Sequence, residues 1–389
     1  MQTTQFDDQA DRIVAQNNLR NSNIELLRII SMLLIIAYHA TRNGFAKADQ
    51  PLVVYSSGVI LGSWGLLGVD LFLIISAWFL TSQNFRLYKV ISIVFQTFTW
   101  VLGYSILYIV FDCFYLHRGI TGAVIDCFIK SLEGIFQPFW CEFYWFIATY
   151  FFMLLLSPFL NKILNTISKR QIQRILLLFL FVPIYAQSQI NTVCDVFRFL
   201  YVYLLIGYIK KYNCPIIQKY AKVRFYLLLI ALVISSKFLL NYFSGNGNSS
   251  NLITLLLANT VAATERHSVI TLIIAILIFF NVLNQKPKYN RQINKLASYC
   301  LGVYLFHENK FLGMPNTLDT TFGILISRGF LNANVLFPFK YMLIVFCVFL
   351  VGVICECIRN SILQKPFMKF VAAKWDHQFA KIDSWFNAL

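Results

Sequence analysis

Two basic side chains stand inside the first apolar run of this chain, Arg28 near its start and His39 near its end. Such groups are costly in an apolar helix unless they are paired or line a cavity, and by default they mark function. Eleven helical steps of about 100° bring the two to nearly the same face, roughly 16 Å apart along the axis. A guanidinium offers a rigid fork for phosphate or carboxylate, and an imidazole exchanges protons near neutral pH. The next apolar stretch holds Asp70, near the end that adjoins His39. A carboxylate at that level can orient the imidazole, fix one tautomer and stabilise imidazolium. Each residue also has a plainer account. Arg28 can snorkel to lipid headgroups, His39 can be a hydrogen-bonded structural histidine, and Asp70 can cap its own helix. Their matching depths favour anion binding at one level and proton transfer at the other.

The elements that must position these groups follow from composition. Of 389 residues, 58% are hydrophobic and only 13% charged, against roughly a quarter charged in soluble proteins. Apolar runs recur at the roughly 20 residues needed to cross a bilayer. The expected fold is an all-α, polytopic membrane bundle of ten spans: 24–41, 66–81, 90–111, 140–160, 175–187, 196–209, 225–243, 268–283, 296–312 and 337–357. The stretch 252–267 is apolar but ends in Glu265, Arg266 and His267; as a separate helix it would raise the count to eleven and flip the last part. The chain divides into a polar segment, 1–22, a transmembrane domain, 23–360, and a tail, 361–389. The polar start lacks the basic region and small-residue site of a cleavable signal, so the whole chain is read as mature. In the tail, Phe367, Val371, Trp375, Phe379, Ile382 and Phe386 recur at helical spacing. That pattern fits a helix in the membrane interface or one packed on a neighbouring helix.

The net charge of +16 does not point to nucleic acid, because the basic residues alternate between loops. Arg86, Lys89, Lys162, Lys169, Arg170, Arg174, Lys210, Lys211, Lys286, Lys288 and the basic tail fall on one side. Little beyond Arg42, Lys47, Arg118, Lys130 and Arg328 falls on the other. The positive-inside rule then puts both termini in the cytoplasm, with anionic lipid as a partner of the basic face. The nine cysteines are scattered and form no disulfide framework. No metal-ligand spacing, Gly-rich phosphate loop or GxSxG elbow is present, so no metal and no bound cofactor is expected.

The residues also resemble a family. Asn23 through Ser31 and on to His39, an arginine and ten residues before a histidine, is similar to the first-span signature of the acyltransferase type 3 family. The run from Gly68 to Leu80 resembles its GVDxFFxxSGFL motif. Tyr144-Trp145-Phe146 with Ser157-Pro158 resembles its middle motif, and Ser298-Tyr299 with Gly302 through His307 its SxGxYLxHxP motif. Three positions depart from the pattern: Ala77 replaces a glycine, Leu73 replaces an aromatic, and Glu308-Asn309 follow His307 without the usual proline. The first bears on the bend or close packing of the second span; the last two mark a divergent branch and bear on the acceptor more than on the chemistry.

The resemblance implies transfer of an acyl group, most often acetyl, from cytoplasmic acyl-CoA to a hydroxyl of a cell-surface polysaccharide or lipid-linked glycan. It implies a bacterial plasma membrane, acetyl-CoA as co-substrate, and polysaccharide-biosynthesis proteins as a further partner class. His39 would be the general base or carry the acyl group, with Asp70 orienting it. Arg28, Arg86 and Lys89 would hold the CoA phosphates; the last two also fit plain topology determinants. Glu142, Tyr144, Trp145, His307 and Glu308 could line the acceptor path, although Trp145 also fits an interfacial anchor and His307 and Glu308 a structural pair. Arg198 could stabilise an oxyanion or pair with Glu142 or headgroups. Ser76 could be a nucleophile, but a serine in a membrane helix usually bonds the carbonyl one turn back. A rival function is a proton-coupled transporter or flippase using His39, Asp70 and His307 as a relay. A non-enzymatic scaffold would leave the aligned Arg28 and His39 unexplained.

Overall fold

The structure, a computed structural model, describes residues 20–42, 51–115, 121, 124–125, 144–186, 192–245, 268–308, 325, 331 and 334–388. All regular elements among them are helical. In chain order they are α1 (Ser22–Arg42), α2 (Leu52–Leu61), α3 (Gly65–Leu80), α4 (Leu87–Tyr115), α5 (Trp145–Thr166), α6 (Lys169–Ala186) and α7 (Thr192–Tyr212). Then come α8 (Pro215–Tyr220), α9 (Val223–Gly245), α10 (Val269–Leu283), α11 (Arg291–Ala297), α12 (Cys300–His307), α13 (Phe337–Arg359) and α14 (Lys365–Ala388), the last two joined by a π-helical turn over Asn360–Gln364.

Among the described residues, six stretches are long and apolar enough to cross a membrane: Ser22–Thr41, Leu52–Leu80, Leu87–Leu107, Trp145–Thr166, Val223–Leu240 and Phe337–Ala388. The other expected spans are helical where described but fall short of that standard. Helix α6 opens on Lys169, Arg170 and Arg174, and α7 carries Asp195, Arg198, Lys210 and Lys211. Helix α10 has only 15 residues. The expected span 296–312 is broken between Ala297 and Cys300, so that a short α11 and a short α12 replace one rod. Helix α2 is an element the span assignment omitted; its apolar run merges with that of α3. The segment 252–267 lies outside the described residues, as does most of 1–22.

Helix α1 is the hub. It packs on α3, α10, α11, α12 and α13, and Met32, Ile36, Ala37 and Ala40 are buried in the core. The α1–α3 seam is set by close approach. A Cβ on Gly68 would lie 2.4 Å from the Ser31 carbonyl oxygen, and one on Gly65 would lie 2.3 Å from the Tyr38 side chain. Ascending positions on α3 thus meet descending positions on α1, so the two helices run antiparallel. Small residues let helix backbones approach in this way.

The N-terminal end of the hub is fixed by polar contacts. Ser22 Oγ lies 2.8 Å from Asn294 Oδ1, and the Ser22 amide donates to the Lys288 carbonyl at 2.7 Å. Asn290 caps α11, accepting from the Gln292 and Ile293 amides at 2.9 and 3.1 Å; these are two of the four orphan donors of a helix start. At the far end of the chain, Arg359 donates to both Glu356 oxygens at 2.8 and 2.6 Å and to Thr99 and Gln364 at 2.8 Å each. The amphipathic tail helix, α14, packs against α4. Phe367 stacks on Phe95 with centroids 3.7 Å apart, and Asp383 accepts from the Leu87 amide at 2.7 Å.

Candidate active site

The sequence aligned Arg28 and His39 on one helix, and α1 places each in a polar site of its own. At the His39 level, two residues from the end of α12 complete a cluster. His39 Nδ1 lies 2.9 Å from Glu308 Oε2 and 3.1 Å from His307 Nε2. His307 Nδ1 lies 2.6 Å from the Val303 carbonyl oxygen. His307 and Glu308 are buried, at 0% and 4% exposure, and His39 keeps 12%.

These contacts assign the protons. A carbonyl oxygen can only accept, so His307 Nδ1 carries the hydrogen and its Nε2 is a lone pair in the neutral ring. Both neighbours of His39 Nδ1, the His307 lone pair and the Glu308 carboxylate, are then acceptors. His39 Nδ1 therefore carries the hydrogen, and in the neutral ring the lone pair is on His39 Nε2. The partner on one nitrogen fixes the function of the other.

The carboxylate beside His39 is thus Glu308, and this corrects the pairing expected from depth alone. Asp70 is engaged elsewhere. Arg198 Nη2 donates to its two oxygens at 2.7 and 2.8 Å, and Thr271 Oγ1 donates at 3.1 Å. Arg198 Nη2 also reaches the Ser268 carbonyl at 3.3 Å. Asp70 is 1% exposed, so this group clamps α3 to α7 and α10. Arg198 pairs with Asp70; Glu142, its expected partner, lies outside the described residues.

Helix α12 ends at His307, so the carbonyls of its last turn lack intrahelical partners. Two buried tyrosines supply donors. Tyr104 Oη on α4 donates to the Phe306 carbonyl at 2.6 Å, and Tyr144 Oη donates to the Leu305 carbonyl at 3.2 Å. Tyr144 thus holds the turn that carries His307 and Glu308. Tyr104 was not singled out in the sequence; a hydroxyl within an apolar run was the available signal. Trp145 begins α5 and packs edge-on against Phe199 and Phe146 within the bundle.

At the Arg28 level lies a cavity of about 1510 Å³. Arg20, Arg28, Lys89 and Lys288 give it a cationic wall; Ser76, Gln83, Ser92, Tyr150 and Tyr289 add hydrogen-bonding groups, and Trp78, Phe79 and Leu154 apolar ones. Glu25 holds two of these cations, Arg20 and Arg28. It accepts from Arg20 at 3.0–3.1 Å and lies 3.8 Å from Arg28 Nη1. The Arg28 guanidinium also stands 5.6 Å from the centre of the Phe72 ring. Buried Arg28 Nε has no hydrogen-bond partner among the described residues. Arg86 does not line this cavity; it borders a small cleft with Lys89, Gln83 and Ser157. Ser76 Oγ donates to the Phe72 carbonyl at 2.9 Å, the backbone bond expected of a structural serine. Lys288, Tyr150 and Tyr289 were not expected at the cavity, because they converge from separate elements.

The arrangement combines an imidazole whose Nδ1 hydrogen faces a carboxylate with a cationic cavity at the other level of the same helix. No curated protein and no solved structure matches the chain. A family model described as an acyltransferase domain matches residues 21–358, a range that takes in Arg28, His39, Asp70, His307 and Glu308. The chain belongs to the acyltransferase type 3 family and is a membrane acyltransferase.

Proposed function

We propose that this acyltransferase moves an acyl group, acetyl first among them, from cytoplasmic acyl-CoA to a hydroxyl of a cell-surface polysaccharide or lipid-linked sugar, with His39 Nε2 as general base. The observation that carries this reading is the proton assignment at His39, whose Nδ1 faces only acceptors. A base needs a free lone pair and a partner for the charge it acquires, and Glu308 at 2.9 Å is that partner.

The donor belongs at the other level. CoA is anionic at its nucleotide end and neutral at its thioester. The cationic wall formed by Arg20, Arg28, Lys89 and Lys288 suits phosphates, which Arg can grip with two parallel bonds. With the basic loops and both termini in the cytoplasm of a bacterial plasma membrane, this end of α1 opens to the cytoplasmic CoA pool.

The chemistry then balances in two steps. The acceptor hydroxyl gives its proton to His39 Nε2 as its oxygen bonds to the thioester carbonyl carbon. The tetrahedral intermediate collapses with cleavage of the C–S bond, and the departing thiolate takes the proton from the imidazolium. The transient positive charge on His39 lies against Glu308. Burial removes competing water, which protects the thioester.

The test is ester-linked acetate on surface glycan, released by mild base, from cells carrying wild type or His39→Ala at matched membrane protein level. Loss of acetate in the variant supports the reading. Equal acetate in both overturns the base, and ester-free glycan from wild-type cells overturns the acceptor or the acyl group.

A further inference from the structure

The His39 cluster has the composition and spacing of a metal site as well as those of a proton-transfer site. Two imidazole nitrogens and a carboxylate oxygen lie within 4.8 Å of one another. Tetrahedral zinc binds such atoms at about 2.0–2.2 Å, which puts its ligands about 3.3 Å apart. The contacts of 2.9 and 3.1 Å around His39 Nδ1 are within a few tenths of an ångström of that spacing, and the third pair, His307 and Glu308, lies within 4.8 Å. His307 is already oriented as a ligand. Its Nδ1–H donates to the Val303 carbonyl, the backbone bond that metal-ligating histidines use to aim the other nitrogen. Two nitrogens and one oxygen suit zinc and its neighbours rather than magnesium or calcium, which take oxygen sets. The residual exposure of His39 provides a way in.

We propose that His39, His307 and Glu308 form a binding site for a divalent transition cation, best matched by Zn²⁺, whose occupancy switches off the base. The site stands on the geometry; the switch rests on the reading of His39 Nε2 as base. A metal bound to Nδ1 of a neutral imidazole takes that lone pair. The Nδ1 proton is released to solvent, and Nε2 takes up one proton from solvent. The ring stays neutral, and Nε2 becomes a donor with no lone pair for a hydroxyl proton. The cation and the carboxylate together leave a local charge of about +1.

The experiment titrates ZnCl₂ into the full chain in detergent micelles by calorimetry, for wild type, His39→Ala, His307→Phe and Glu308→Gln. Co²⁺ absorption serves as a second probe of the ligand set, and melting temperatures check folding. One tight site in wild type, weakened at least tenfold in folded variants and giving a four-coordinate Co²⁺ spectrum, supports the proposal. Absence of a site in wild type, or binding untouched by all three substitutions, overturns it. The switch is read separately as acyl-CoA turnover with and without Zn²⁺. Binding without loss of turnover leaves the metal site standing and removes His39 as the base. Turnover that depends on His39 in a chain that does not bind Zn²⁺ keeps the base and removes the metal site.

Discussion

Arg198 reaches the two oxygens of Asp70 with a single nitrogen, at 2.7 and 2.8 Å, in a site where Asp70 is 1% and Arg198 6% exposed. Removing one member of such a pair leaves the other charge buried without a counterpart, at a cost of about 3–5 kcal/mol. Replacing both by apolar residues of similar size is far milder. Asp70→Leu and Arg198→Leu are each expected to lower the thermal midpoint strongly in micelles, and the double substitution to recover most of the loss. A double variant as unstable as the sum of the singles would show that the two groups act independently. This pair is a structural clamp among α3, α7 and α10, so a folded double variant is also expected to retain turnover.

Glu308 should behave differently. Its carboxylate faces the proton on His39 Nδ1 and balances charge that appears only when His39 becomes imidazolium. A general base contributes about 10²- to 10⁴-fold in rate, so His39→Ala should cost that range in kcat. Glu308→Gln keeps an acceptor oxygen but loses the charge, and it should fall between wild type and His39→Ala with little change in KM for the donor. A Glu308→Gln enzyme with wild-type kcat would remove the carboxylate from the reaction.

The contrast between these two carboxylates shows what the sequence can carry. Helical periodicity within one element was enough to align Arg28 with His39, and each reaches polar surroundings of its own. Depth along a helix misplaced Asp70: Gly65 meets Tyr38 and Gly68 meets Ser31, so Asp70 lies further along α3, away from the His39 level. Its azimuth was free as well, and the face of α3 that bears Asp70 turns toward α7 and α10. Azimuth is decided by tertiary packing, here by Gly68 seated on the Ser31 carbonyl. His307 and Glu308 were visible only as ionisable residues in an apolar run, because the contact that pairs them with His39 joins opposite ends of the chain. The break between Ala297 and Cys300 is hidden from hydropathy, since only Ser298 and Tyr299 separate Leu296 and Ala297 from the apolar run of α12. Helix α2 was masked for the same reason, its apolar run merging with the next. The cationic cavity was legible at Arg28 and Lys89, but not where Lys288 and Tyr289 enter from α11's approach.

Tyr104 and Tyr144 make a prediction about precision rather than chemistry. Each hydroxyl satisfies one carbonyl of the last turn of α12, and a buried carbonyl left without a donor costs about 1–3 kcal/mol. Tyr104→Phe and Tyr144→Phe keep the ring and remove only that donor. The expected outcome is a modest drop in thermal midpoint and a several-fold fall in kcat at unchanged donor KM, because the turn that aims His307 and Glu308 is loosened while the cavity near Arg28 is untouched. A change confined to KM would place these tyrosines in substrate binding instead.

Gly68 tests the seam that sets the two levels of the site. A methyl group added there would lie 2.4 Å from the Ser31 carbonyl oxygen, 3.0 Å from the Ile35 side chain and 3.3 Å from that of Leu34. The first contact is with backbone, which cannot rotate away, so α1 and α3 must separate. Overpacking of this kind costs about 1–3 kcal/mol. The displacement should fall on both functional levels, because the α1 residues that meet Gly68 lie between Arg28 and His39. Gly68→Ala is therefore expected to lower stability and to impair donor binding and kcat together, whereas Gly103→Ala, where an added methyl meets nothing within 4 Å, should leave all three unchanged. Calorimetric CoA binding measured beside turnover separates the outcomes: a stable Gly68→Ala protein with normal donor affinity would mean that α1 and α3 can part without moving either level, and that the seam does not couple them.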